Sequence, residues 1–590
     1  MAPKQEENKL GKKVAKTISS LVLASSLGLT GVVSSFSIDE HRVSAEETIK
    51  EIDYEQRAKE FVELARANNW DAAYQQLSKN LQSVLSKDLL NSYWTNLLNS
   101  YGKIIETKFK DLKIDGVHTK ATFSMTAEKG PFELVILFNS EGKVDEFYTD
   151  MVYQPNNFLN PSYNHPENYT EKQITIGEGE FSLPGVLTIP KGKGPFPVVV
   201  LVHGSGAHDM DETMYSIKPF RDIAVGLANE GVAVLRYDKR TKVHPIKSSL
   251  KPMFSIQEET VLDANLAVEK LKSLPEIDSK NIFVLGHSQG AFALPLIINN
   301  DKKQDIKGVI GAAGPAGKFQ DLLLWQLDQA VERAEKMNMS KEQIEAMMEQ
   351  FAPLKESLAL LNDPKYSKEN LPAVFKIGNP YWWFDIRDYI PAELAKEQTV
   401  PTLLLQGGKD IQVPASELDS WKTELKQRDN VEYKIYPDMY HMLADFPGQP
   451  NGQTEYMTPS NVSQQFISDI AKWVKTGSIN SKPEESNKPE EDKPDVQKPT
   501  PKVYWDGLLM KKGQIGKVSI SKPINLWKRQ DDKLQFVRVL KPGEQYRVYR
   551  YDNKFGGQYG LGGDCYITNL KGYVEYKTPS KAKLKELHNE

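Results

Sequence analysis

Apolar positions along the chain change their period several times. Between Tyr54 and Tyr101, residues Phe61, Leu64, Trp70, Tyr74 and Leu77 recur at helical spacing. The stretches HTKATFSMT, FELVILFN and VDEFYTDM then alternate apolar and polar, with turn signals at EKGP and SEGK between them. Helices followed by a strand meander predict a small α+β domain over 46–155. From about Tyr163 to Thr476 the pattern changes to short, continuous apolar runs: FPVVVLVHG, VAVLRYD, FVLG, GVIGAAG and TLLLQGG, each separated from the next by helix-like text. Unbroken apolar strands alternating with helices predict a mostly parallel sheet covered on both faces, an α/β domain over 163–476. Between Gly317 and about Gln398 the rhythm is interrupted by long, partly amphipathic helical text. It is too long for a connection and reads as an inserted lid.

The stretch SKPEESNKPEEDKPDVQKPTP has almost no apolar residues, and 477–501 is expected to be a disordered, extended linker. Alternation returns in LQFVRVL, QYRVYRYD and YITNLKGYVEY with Gly-rich turns, which predicts a small all-β domain over 503–580. At the other end, Lys9, Lys12, Lys13 and Lys16 precede an apolar stretch rich in small residues, and VSA stands before Glu46. That is the layout of an export signal over 1–45, with an uncleaved anchor as the alternative.

Composition narrows the function. A net charge of −4 with mixed signs argues against nucleic acid as a partner. The single cysteine, Cys565, excludes an intrachain disulfide and a thiolate zinc cluster. An exported chain without disulfides must be stabilised by core packing.

The chemistry is concentrated in NIFVLGHSQGAFALPLI. A G-x-S-x-G match is common by chance, but here a strand candidate ends at the first glycine and a helix can start at the last. A serine on such a turn, Ser288, has its hydroxyl pushed out at the carboxyl edge of the sheet. These residues resemble the α/β-hydrolase superfamily, and that resemblance implies three further parts. An oxyanion loop is matched by VVVLVHGSG, His203 to Gly206, where the amide of Ser205 or of Gly206 would act with that of Gln289. An acid is matched by Asp410 in PTLLLQGGKDIQVP, with Asp438 and Asp445 as rivals. A base is matched by His441 in YKIYPDMYHMLADF, the only histidine between Asp410 and the linker. The order Ser288, Asp410, His441 is that of the superfamily. Tyr381, Trp382 and Trp383 in NPYWWFDIRDYIP are candidates for the substrate pocket, or for packing of the lid. A Ser-His-Asp hydrolase of this kind needs no metal or cofactor.

HGSGAHDMDE and VAVLRYDKRT are similar to stretches of secreted bacterial esterases, and to dienelactone-hydrolase-like and prolyl-oligopeptidase-like members. The resemblance implies a secreted serine esterase acting on short- to medium-chain acyl esters through an acyl-enzyme. A peptidase of the same fold is the alternative, and a surface binding protein with an inert hydrolase domain is the alternative of another class. The N-terminal pattern resembles nuclear-transport-factor-like domains. The C-terminal text, including WDGLLMKKGQIGKV and GGQYGLGG, resembles the SH3-like modules of Gram-positive secreted proteins, which implies a cell-wall polymer as partner or an appendage without a ligand.

Overall fold

The computed structural model of the 590-residue chain describes residues 52–151, 158–480 and 504–580, the last without 506–507, 511–512, 531–532 and 563–564. The expected export signal and nearly all of the expected linker lie outside the described residues. Two compact units are present, divided between Pro483 and Glu484.

The described part of the first unit begins with four helices, α1 (Tyr54–Arg66), α2 (Trp70–Gln75), α3 (Lys79–Val84) and α4 (Lys87–Tyr101). Each is started by a side chain that accepts an otherwise orphaned backbone amide: Asp53, Asn69, Ser78 and Ser86. An antiparallel meander follows, β1 (Ile104–Asp115), β2 (His118–Ala127), β3 (Gly130–Phe138) and β4 (Val144–Met151), paired in that order. The helices pack on it through Phe61, Leu81, Trp94, Phe123, Phe132 and Phe147, a core of its own.

The rest of the first unit is an eight-stranded sheet in the order β12-β11-β10-β9-β7-β8-β6-β5. Its strands are β5 (Tyr169–Ile176), β6 (Leu183–Pro190), β7 (Phe196–Val202), β8 (Ala233–Tyr237), β9 (Ile277–His287), β10 (Ile306–Ala312), β11 (Thr402–Gly407) and β12 (Val431–Tyr436). The six strands from β7 onward run parallel, while β6 is antiparallel to both β5 and β8. The unbroken apolar text of β7, VVVLV, is explained by burial on both faces. Val199 and Leu201 point into one core with Phe220 and Phe466, whereas Val198, Val200 and Val202 point into the other with Ile282 and Phe292. The first face is covered by α5 (Pro219–Asn229) and the last helix, Gln464–Thr476; the second by α8 (Leu262–Lys272) and α9 (Gln289–Asn300). Between β8 and α8 run the short helices α6 (Arg240–Val243) and α7 (Pro245–Ser249). The segment between β10 and β11 forms four helices, α10 (Phe319–Lys336), α11 (Lys341–Leu360), α12 (Pro380–Ile386) and α13 (Pro391–Ala395).

The N-terminal domain is fastened to the sheet domain by buried charges. Lys242 of α6 pairs with Asp150 of β4, and Lys247 Nζ of α7 lies 2.8 Å from Asp145. The carboxyl group of Glu146, which burial pushes up to about 8, accepts the amides of Ile246 (3.3 Å) and Lys247 (3.1 Å), two of the unsatisfied donors at the start of α7. Asp145 also accepts from Ser78 Oγ at 2.6 Å and meets His118 Nε2 at 2.9 Å.

Among its described residues the second unit is built of β-strands with one 3-10 turn. Gly516–Ile520 pairs antiparallel with Gln545–Val548 and Val574–Lys577, and a second sheet orders Lys533–Leu540, Ile524–Gln530, Cys565–Thr568, Gln558–Gly562 and Arg550–Asp552. Val518, Leu540, Val548 and Ile567 form its core, against which the half-buried Cys565 packs.

Candidate active site

Ser288 stands at the junction of β9 and α9 with φ 53° and ψ −114°. A non-glycine residue held there stores about 1–3 kcal/mol of strain, a cost typical of functional turns. The turn is enforced by what surrounds it. A Cβ on Gly286 would lie 2.3 Å from the backbone of Gly290, and one on Gly290 would lie 2.2 Å from the carbonyl oxygen of Val202. Only glycine at both positions lets α9 sit this close to β7 and β9. Among the described residues, no internal acceptor takes the amide of Gln289, the first residue of α9.

Asp410 follows β11 and is buried. Its Oδ1 accepts the amides of Gln412 (2.8 Å) and Val413 (2.9 Å), and its Oδ2 accepts from Gln406 Nε2 (3.3 Å) and His441 Nδ1 (2.8 Å). With Nδ1–H given to the carboxylate, the lone pair of His441 lies on Nε2, the arrangement a general base needs. The rivals are placed differently: Asp438 is exposed and pairs with Lys409, and Asp445 is exposed. His441 follows β12, and its ring lies 4.8 Å, centre to centre, from that of His287, the neighbour of Ser288. Ser288 Oγ makes no hydrogen bond to another described residue.

The loop after β7 lies against this serine: a Cβ on Gly204 would come within 3.3 Å of Ser288 Cβ. His203 is buried, and its Nε2–H donates to Asp209 O at 3.0 Å. Burial drives its pKa down to about 3, so it is neutral.

Glu212 and His287 were not singled out from the sequence. Glu212, buried and with φ 51°, accepts the Gly204 amide at 2.6 Å and His287 Nδ1–H at 2.9 Å. The other nitrogen of His287 donates to the backbone oxygen of His441 at 2.8 Å. Both partners are acceptors, so both ring nitrogens carry protons. Burial opposes that charge, but the Glu212 carboxylate outweighs it and raises His287 above its ordinary value. Burial likewise pushes Glu212 up, yet the charge and hydrogen bond of His287 hold it at about 2. This pair ties the oxyanion loop, the serine turn and the histidine loop together. The signal available in the sequence was only proximity: Glu212 ends HGSGAHDMDE and His287 precedes the serine.

Trp382 and Trp383 of α12 are buried, with ring centres 5.1 Å apart and Phe319 against both. Trp383 Nε1–H donates to Ile377 O at 2.7 Å, within its own segment. Trp382 Nε1–H donates to Glu259 Oε2 at 2.7 Å, and the same oxygen accepts from Gln289 Nε2 at 3.1 Å. Trp382 is therefore joined to the residue after the serine. Tyr381 is half-buried at the start of the helix, where Asn379 caps its amide at 2.9 Å. Arg236 pairs with Asp211, while Asp209 and Asp238 accept backbone amides of Thr213 and Met210.

Residues 193–445 match the family described as serine aminopeptidase, S33. The chain is 32% identical over 422 residues to esterase EstD of Thermotoga maritima, a match covering 71% of this chain and 95% of that one. Among solved structures it is similar to Est1E of Butyrivibrio proteoclasticus (16% identity, 52% of this chain and 99% of that one, TM-score 0.33). An esterase of Pyrococcus furiosus is similar at 18% identity, over 52% of this chain and 91% of that one, with a TM-score of 0.32. The chain belongs to the family of EstD, the esterases of the α/β-hydrolase superfamily.

Proposed function

We propose that the protein is a secreted serine esterase that cleaves short- to medium-chain acyl esters through an acyl-enzyme on Ser288. The observation that carries the reading is the strained Ser288 turn beside a histidine whose Nδ1–H is held by the buried Asp410. A serine hydroxyl is a poor nucleophile at neutral pH, so His441 Nε2 takes its proton as Oγ attacks the ester carbonyl. Asp410 keeps the imidazole in the required tautomer and stabilises its cation. The amides of Gln289 and of Ser205 or Gly206 receive the oxyanion. His441 then protonates the leaving alcohol, and water repeats the sequence on the acyl-enzyme. Trp382, with Tyr381 and Trp383 around it, borders the acyl or alcohol pocket. Export rests on the basic, apolar and small-residue pattern of 1–45, and attachment to a cell-wall polymer on the pattern of the C-terminal domain.

The test is a parallel assay of wild type and Ser288→Ala on p-nitrophenyl esters of graded chain length and on aminoacyl p-nitroanilides. Ester turnover that falls by about 10⁴-fold or more in the variant, without anilide turnover, is the expected result. Anilide turnover would move the reading to the peptidase named by the matched family's description. Ester turnover kept by Ser288→Ala would overturn the nucleophile.

A further inference from the structure

We propose that Lys239 is a positioning residue for the oxyanion hole, and that the N-terminal domain holds it in place through the Lys239–Lys247 segment. This rests on the reading of Ser288 as nucleophile. A trans peptide points its carbonyl and the following amide in opposite directions. Three successive carbonyls of the loop after β7 are held from outside: Gly204 O by Lys239 Nζ at 2.8 Å, Ser205 O by His208 Nε2 at 2.7 Å, and Gly206 O by Thr241 Oγ1 at 3.2 Å. With the first two fixed, the amides of Ser205 and Gly206 face the other way. Neither amide has an acceptor among the described residues.

Lys239 carries the charge in this set. Its ammonium sits behind the peptide whose amide would meet the oxyanion, and its backbone amide donates to His208 O at 3.0 Å. Its counter-ion is Glu259 Oε1 at 2.7 Å. The other oxygen of Glu259 holds the side chains of Gln289 and Trp382. One buried carboxylate therefore steadies the outer supports of both oxyanion donors.

The segment that carries Lys239 ends against the N-terminal domain. Arg240 is anchored on Asp263 of α8, with Nε 2.9 Å from Oδ2. Lys242 pairs with Asp150, Lys247 with Asp145, and the amides that open α7 are accepted by Glu146, all of β4. Loosening β4 frees one end of the segment whose other end fixes the oxyanion peptide.

Full-length wild type, Lys239→Met, Lys239→Arg and Asp150→Asn are compared for kcat and KM on a p-nitrophenyl ester. The same proteins are titrated with an aryl trifluoromethyl ketone, whose serine adduct presents an oxyanion. Lys239→Met is expected to lower kcat by about 10²-fold, with KM within about threefold and ketone affinity reduced in step. Lys239→Arg is expected to recover part of both. Asp150→Asn is expected to lower both about fivefold, since a slightly misplaced donor costs less than an absent one. Unchanged kcat and ketone affinity in folded Lys239→Met would overturn the proposal, as would a loss of kcat with full ketone affinity. Unchanged values in Asp150→Asn would remove the N-terminal domain from it. If Lys239→Met does not fold, the double variant Lys239→Met/Glu259→Gln, which leaves neither partner of the ion pair unpaired, is scored in its place against wild type. Turnover retained by Ser288→Ala would instead sink the nucleophile, and that result is read separately from every Lys239 comparison.

Discussion

At the scale of single residues, two carboxylates divide the work. Asp410 is saturated by two amides, Gln406 and His441, so its geometry is set before substrate arrives. Asp410→Asn is expected to lower kcat by about 10⁴-fold, because the amide cannot hold the required tautomer of His441. Asp438→Asn, at an exposed carboxylate paired with Lys409, is expected to stay within about threefold of wild type in the same assay. Glu212 acts through charge on His287. Its folded pKa of about 2 lies below the unfolded value of 4.5, so its stabilisation is present above about pH 4.5 and fades as pH falls towards 2. His287 is raised, so its share is complete below its ordinary 6.5 and is lost as pH climbs through its folded value. Denaturant unfolding of wild type against Glu212→Gln should therefore show the largest stability gap between pH 4.5 and 6.5, roughly 2–3 kcal/mol. A gap that does not change from pH 3 to 8 would contradict a charged pair.

At the scale of elements, the serine turn depends on close approach of α9 to the strands beneath it. Gly290→Ala places a methyl 2.2 Å from a backbone oxygen that cannot move away. It is expected to cost about 1–3 kcal/mol or more in urea unfolding, and to lower turnover through a displaced Ser288. Elements of this kind were legible in the sequence because their signals are local: VVVLV before HGSG, and NIFVL before GHSQG. The positions of Asp410 and His441 at strand ends followed from order along the chain. What escaped was either exposed or long-range. Strand β1 was missed because its text, IIETKFKDLKID, is a sheet edge facing solvent, and edge strands carry charges where central ones carry valine. The antiparallel β5 and β6 were not picked out as strands: YTEKQITI is charged in its first half, and LPGVLTIP carries a glycine and two prolines. Lys239, Glu259, Glu212 and His287 have no local signature as supports; they come together only once four separate segments of the chain have been folded together.

At the scale of the whole molecule, the first unit contains every candidate catalytic group and its own cores, and the second unit has a separate core. Removing residues 504–590 is expected to leave kcat and KM on soluble esters unchanged within about twofold, measured on the purified 1–503 chain. A collapse of turnover would show that the all-β unit completes the catalytic one. The N-terminal domain stands differently, since its β4 shares buried ion pairs with the segment beside the oxyanion loop. The central claim, that one strained serine performs nucleophilic attack, is tested most directly by fluorophosphonate labelling with the adduct located by peptide mass spectrometry. The account expects one adduct per chain, on Ser288, with ester turnover falling in proportion to labelling. An adduct on another residue, or full turnover in a fully labelled enzyme, would contradict it.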